Sequence, residues 1–207
     1  MRSKKVMYLL KVIVVAVSGL GLALFAFPGQ SLAEEATLDE LLPLDFNATA
    51  PNLANVSRGG RGESAFLEIR ITRWTSDEER DGLLDALEKS PTKSLTNALE
   101  RQYQVGTIRD IQTVSEALRY AHAVPTEGGG HQIILASDRP MNFVEMWTGK
   151  RMPNYSITLI ELTLDSEGRG TGQIMLGAEL TWDEANSKVA VAKLATDPIQ
   201  LTEVGPR

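Results

Sequence analysis

Cysteine is absent from the 207 residues, and histidine occurs only twice, at His122 and His131. The first absence excludes disulfides, thiolate metal sites, cysteine nucleophiles and a lipid-modified N-terminal cysteine. The second excludes multi-histidine metal cages. Cations are also in short supply. Lys and Arg number 21 against 27 Asp and Glu, for a formal charge of −6 and a pI near 5.1. Binding a phosphate backbone needs clustered Lys and Arg, so nucleic acid is not an expected partner. The chain has no G-x-S-x-G nucleophile elbow and no H-E-x-x-H zinc motif. Gly168-x-Gly170-x-Gly172 falls between two expected strands, whereas a dinucleotide fingerprint must open a helix. No cofactor and no metal is expected.

What is present begins with an export signal. Arg2, Lys4 and Lys5 precede an apolar run from Val12 to Phe27, and Pro28-Gly29 breaks it. Ser31-Leu32-Ala33 then places small residues at the −3 and −1 positions of a cleavage site, and acids begin at Glu34. The alternative is an uncleaved anchor. Val12–Phe27 measures about 24 Å as a helix, short of the ~20 residues a span needs. Extending the run back to Val6 would place Lys11 inside it. Residues 1–33 therefore read as a signal peptide, cleaved after Ala33, and the protein as exported to the periplasm or medium. No membrane association is expected afterwards. Cleavage removes four basic residues and no acid, leaving 17 basic against 27 acidic side chains.

Residues 34–62 read as a flexible linker, with Pro43, Pro51 and the run Ser57-Arg58-Gly59-Gly60-Arg61-Gly62. One RGG-like copy on an acidic chain is a hinge and not a nucleic-acid segment. A single α+β domain is expected over 63–207. Its first strand alternates through Leu67, Ile69 and Ile71. Ser76 and Glu79 have the spacing of a capping box. They open a helix with Leu83, Leu84 and Leu87 on its apolar stripe. Ser90-Pro91 starts a second helix, with Leu95, Ala98 and Leu99 facing the core. The acids Asp77, Glu78, Glu79 and Asp81 suit the helix dipole and lack the alternation of a calcium loop.

The rest reads as strands joined by short turns: 105–111, 115–123, 132–136, 157–164, 173–182, 189–194 and 199–204. The expected fold is an antiparallel meander of six to eight strands with a helix pair inserted after the first. Parallel βαβ folds are disfavoured, because crossover helices between the C-terminal strands are missing.

Candidate chemistry is sparse. His131 follows three glycines and is a candidate general base, but the sequence locates no carboxylate to orient it. His122 and His131, if paired across a hairpin, would be the whole histidine supply for a metal. Asn47, Asn55 and Asn154 match glycosylation acceptors, relevant only in a eukaryotic host. The least ordinary segment is Ser137-Asp138-Arg139-Pro140-Met141-Asn142-Phe143-Val144-Glu145-Met146-Trp147. Arg139, Met141, Phe143, Met146 and Trp147 form the candidate binding set. Methionine and aromatic side chains offer adaptable contact area, and arginine offers an anchor for a carboxylate or phosphate. The competing reading makes this segment a plug in the open end of the sheet.

Three stretches carry a resemblance: Leu67-x-Ile69-x-Ile71-x-Arg73-Trp74-Thr75-Ser76-Asp77-Glu78-Glu79-Arg80, then Ile134-Leu135-Ala136-Ser137-Asp138-Arg139-Pro140, and Ile160-Glu161-Leu162 with its glycine-rich turn. Over Ser64–Val204 the chain resembles exported bacterial proteins of no characterised family. The resemblance implies a bacterial origin and no reaction. The functional expectation is a non-catalytic binding or structural module whose partner is an apolar or amphipathic ligand or protein. The alternative is a periplasmic or secreted hydrolase.

Overall fold

The computed structural model describes residues 38–51, 64–89, 93–142, 144, 157–183 and 188–207. Among them are a 3-10 turn at Leu38–Leu41, ten strands and two helices. The strands are β1 (Leu44–Ala50), β2 (Ala65–Ile71), β3 (Gly106–Asp110), β4 (Glu116–Leu118), β5 (Tyr120–Pro125), β6 (His131–Ser137), β7 (Ile157–Leu164), β8 (Gly170–Asp183), β9 (Lys188–Lys193) and β10 (Ile199–Pro206). The helices α1 (Asp77–Lys89) and α2 (Lys93–Glu100) follow β2. The molecule is mostly antiparallel sheet with a helix pair, and α+β describes it broadly.

The strand order is β4-β3-β2-β1-β10-β8-β7-β6-β5, with β9 on β8. The two ends of this path, β4 and β5, are consecutive and break only at Arg119. Around the break Val105 N–H donates to Leu118 O, and Arg119 N–H donates to Ala136 O, both near 2.9 Å. The sheet thus returns on itself as a near-barrel. This corrects the expected meander in three ways. The strands number ten rather than six to eight. The helix pair follows the second strand, not the first. And β10 closes between β8 and β1 instead of ending the series.

The missing strand was β1, inside the stretch read as a linker. Phe46, Ala48 and Ala50 alternate inward, and all seven residues of β1 pair with β2. Pro43 and Asn47 look like breakers, and two of the three inward residues are alanines, so the hydrophobic alternation is weak. The partner strands on both sides supply what local propensity does not.

The lumen of the barrel is filled. Phe46, Leu67, Ile69, Ile108, Leu118, Ile133, Leu135, Ile160, Leu162, Ile174 and Leu201 belong to one buried cluster, drawn from all sides of the sheet. A second cluster lies outside the barrel wall. Leu83, Leu87, Leu95 and Leu99 of the helices pack on Ala136, Ile157, Leu159, Met175 and Ala178 of β6, β7 and β8. Strand β7 is consequently apolar on both faces, the pattern of a strand buried on both sides.

Local signals set several junctions. The capping box forms: Ser76 N–H donates to Glu79 Oε2 at 2.9 Å, and Glu79 N–H donates to Ser76 Oγ at 3.3 Å. Arg73 adds two bonds of 2.9 Å to the same carboxylate and holds it below its ordinary range. Between β7 and β8, Asp165 Oδ1 accepts the N–H groups of Glu167 and Arg169, and Gly168 takes φ 74°. Only glycine adopts that angle without strain.

Candidate functional site at the capped end of the barrel

One end of the barrel gathers the polar residues of the singled-out segment. Here β3 ends at Asp110, β4 begins at Glu116, β6 ends at Ser137 and β7 begins at Ile157. The chain leaving β6 folds over this end. Met141 is 0% exposed and Val144 1%, and both belong to the cluster that fills the lumen. Met141 therefore anchors the segment from below and offers no contact area to a partner. Arg139 is exposed and donates from Nη2 to Asp138 Oδ2 at 3.0 Å. Phe143, Met146 and Trp147 lie outside the residues whose side chains are described.

Asp138 is shared between two arginines. Besides Arg139, Arg119 Nε stands 3.6 Å from Asp138 Oδ1, too long for a hydrogen bond. The hydrogen bond to Asp138 raises the Arg139 guanidinium above its ordinary value. Arg119 Nε, Asp138 Oδ1 and the buried Ser137 Oγ have no hydrogen-bond partner among the described residues. Arg119 also reaches Gln102 O at 3.1 Å, linking the β4–β5 break to the end of α2. Thr158 Oγ1 donates to Arg139 O at 3.2 Å, pinning the backbone of the segment to β7.

Glu116 caps the short turn that follows. Its Oε1 accepts the Asn142 N–H at 2.6 Å, and Val144 N–H bonds back to Met141 O. A capping group 26 residues away has no local sequence signature. The clue was the acid itself, at an inward position of a short apolar strand, where a carboxylate must find a donor.

The histidines are separated. His122 pairs with Ile134 across the β5–β6 hairpin, and His131 pairs with Pro125. The two thus alternate onto opposite faces of the sheet, and a shared metal is ruled out by geometry. His122 stands under α1, with Nδ1 2.8 Å from Arg80 Nη1, and Arg80 in turn binds Asp77 at 2.6 Å. Burial, reinforced by the Arg80 charge, pushes the His122 imidazole below its ordinary value. Burial also pushes the neighbouring Tyr120 hydroxyl up to about 12.

Elsewhere on the wall, the half-row Gln132, Glu161 and Gln173 satisfies a buried carboxylate. Both glutamine amides donate to Glu161, Gln173 at 2.6 Å. Among the described residues no three His, Asp or Glu side chains converge as a metal site, and no helix is long and apolar enough to cross a membrane. Compared with known proteins, the chain matches no family model, no curated protein and no solved structure.

Proposed function

We propose that the protein is an exported, non-catalytic binding or structural module that meets its partner on its outer surface. The observation that carries this reading is the filled lumen. A barrel that stores or transforms a small molecule keeps an interior cavity, whereas here inward side chains from nine strands occupy the space. The surface in question is the segment over the capped end. Met141 and Val144 root it in the core, Arg139 stays exposed beside it, and Phe143, Met146 and Trp147 follow in sequence. An apolar or amphipathic partner would gain its contact area from the aromatic and methionine side chains and a polar anchor from Arg139.

The test is a urea melt of Trp147→Ala. A surface position costs less than about 1 kcal/mol, and that outcome supports the recognition role. A loss of about 3–5 kcal/mol marks a buried ring and retires it, leaving the segment as a plug. Export is tested separately by intact mass: protein recovered from periplasm or medium should begin at Glu34.

A further inference from the structure

Among the described residues no helix packs over the outer wall formed by β1, β2 and β3. Its outward positions form two rows across the strands, Asp45–Arg70–Thr107 and Asn47–Glu68–Arg109, each set by direct register partners. Arg207 joins them from the end of β10, where its N–H donates to Asp45 O at 2.9 Å. Together Asp45, Glu68, Arg70, Thr107, Arg109 and Arg207 line a cleft of about 190 Å³.

Among the side chains of the cleft, three guanidinium groups meet two carboxylates, in a chain whose formal net charge is −6. Glu68 serves two of them: Arg109 Nε donates to its Oε2 at 2.7 Å, and Arg207 Nη1 stands 3.1 Å from its Oε1. Arg70 is left at 3.7 Å from Asp45, beyond a hydrogen bond, with its side chain 54% exposed. The carboxylates sit deeper than the arginines, which places the cationic groups at the mouth. Exposed ion pairs stabilise a fold by about 0–1 kcal/mol, so folding gives little reason for this convergence.

The cleft adjoins an apolar shelf. Phe66 lies on the same face of β2 as Glu68 and Arg70, and Ile111 N–H bonds to Phe66 O. Val114 precedes Ser115, which also lines the cleft. Phe66 and Ile111 are 54% and 50% exposed, two large apolar side chains, one on β2 and one directly after β3, and Val114 in the loop before β4 is 76% exposed. From Phe66 to Arg70 is about 13 Å along the strand. The cleft itself is smaller than the ~300–1,000 Å³ of a site that encloses a whole ligand, so it has room for a head group while the body lies outside.

We propose that this wall binds a small amphiphilic anion, its carboxylate or phosphate head between Arg70 and Arg109 and its apolar body along Phe66 and Ile111. Arginine suits either head, because its planar fork donates two parallel hydrogen bonds to two oxygens. None of the residues named for this site belongs to the 137–147 segment, and the proposal does not depend on that segment's role.

The experiment is an amide NMR titration of the purified protein with four probes: octanoate, octyl phosphate, acetate and inorganic phosphate. At least one octyl probe should shift the amides of Phe66, Arg70, Thr107 and Arg109 saturably, at least tenfold more tightly than its headgroup alone. Whichever octyl probe binds more tightly identifies the head group. Arg70→Gln should weaken binding at least fivefold, and Phe66→Ala should reduce the octyl advantage, with urea midpoints confirming that both variants fold. If either fails to fold, Thr107→Val, expected to weaken binding, replaces it. Absence of saturable shifts, equal binding of octyl and short probes, or an unchanged affinity in Arg70→Gln overturns the proposal.

Discussion

The wall of β6–β8 and the wall of β1–β3 are built from the same alternating sheet, yet they meet different surroundings. On the first, outward positions are Ala136, Ile157, Leu159, Met175 and Ala178, and the helix pair covers them. On the second they are Asp45, Glu68, Arg70, Thr107 and Arg109, and neither described helix lies on them. The inward sides of both walls feed the same lumen cluster. The difference shows that the barrel interior is a requirement common to the whole circumference, while the outer face is where the sequence is free to specify helix packing in one sector and charged side chains in another.

That contrast is open to breakage. The largest effect should come from Leu159→Ala on the covered wall, where removing a buried leucine under the helix pair costs about 2–5 kcal/mol. Equilibrium urea denaturation measures it, and a cost below 1 kcal/mol would mean that the helix pair is only loosely docked. Next is Glu116→Ala at the capped end. Taking the acceptor from the Asn142 N–H should cost about 1–3 kcal/mol and raise the susceptibility of the 138–142 segment to limited proteolysis.

Smaller still is a pH effect confined to the covered side. The His122 value is depressed in the folded state, so the unfolded chain takes up a proton first. The stability this contributes is full above the ordinary value of 6.5 and is lost as pH falls through the lower folded value. Urea midpoints followed from pH 7.5 to 5 should fall for the natural chain and stay flatter for His122→Gln. The smallest effect belongs to the bare wall. Arg70→Gln should alter stability by no more than about 0.5 kcal/mol, and a larger loss would make the arginine cleft part of the folding scaffold.

How much of this was legible follows from the same two walls. In β7, Ile157-Thr-Leu-Ile-Glu-Leu-Thr-Leu164 is apolar at both parities, the mark of a strand buried on both faces; in β2, Ala-Phe-Leu-Glu-Ile-Arg-Ile alternates, the mark of one open face. The helix pair was readable from Ser76, Glu79 and the leucine spacing, all within a few residues of one another. Closure was not. Strand β1 depends on partners 20 and about 150 residues away in sequence, and its alanines score as neutral. The division of 115–123 at Arg119 arises where one strand passes from β3 to β6, a change of neighbour that leaves no periodic trace. At the capped end, the proximity of Arg139 and Asp138 was in the sequence, but the contributions of Arg119 and Glu116 came only from the fold.

The account rests on the barrel being closed through β1, because closure is what encloses the filled lumen and fixes the outward residues of both walls. Native-state hydrogen exchange of residues 44–50 and 202–206, compared with β7, tests this most directly. Slow exchange in both stretches, comparable to that of Ile160 and Leu162, is the expected result. Exchange of 44–50 at rates typical of unstructured peptide would contradict it, returning that stretch to a linker and opening the barrel between β2 and β10.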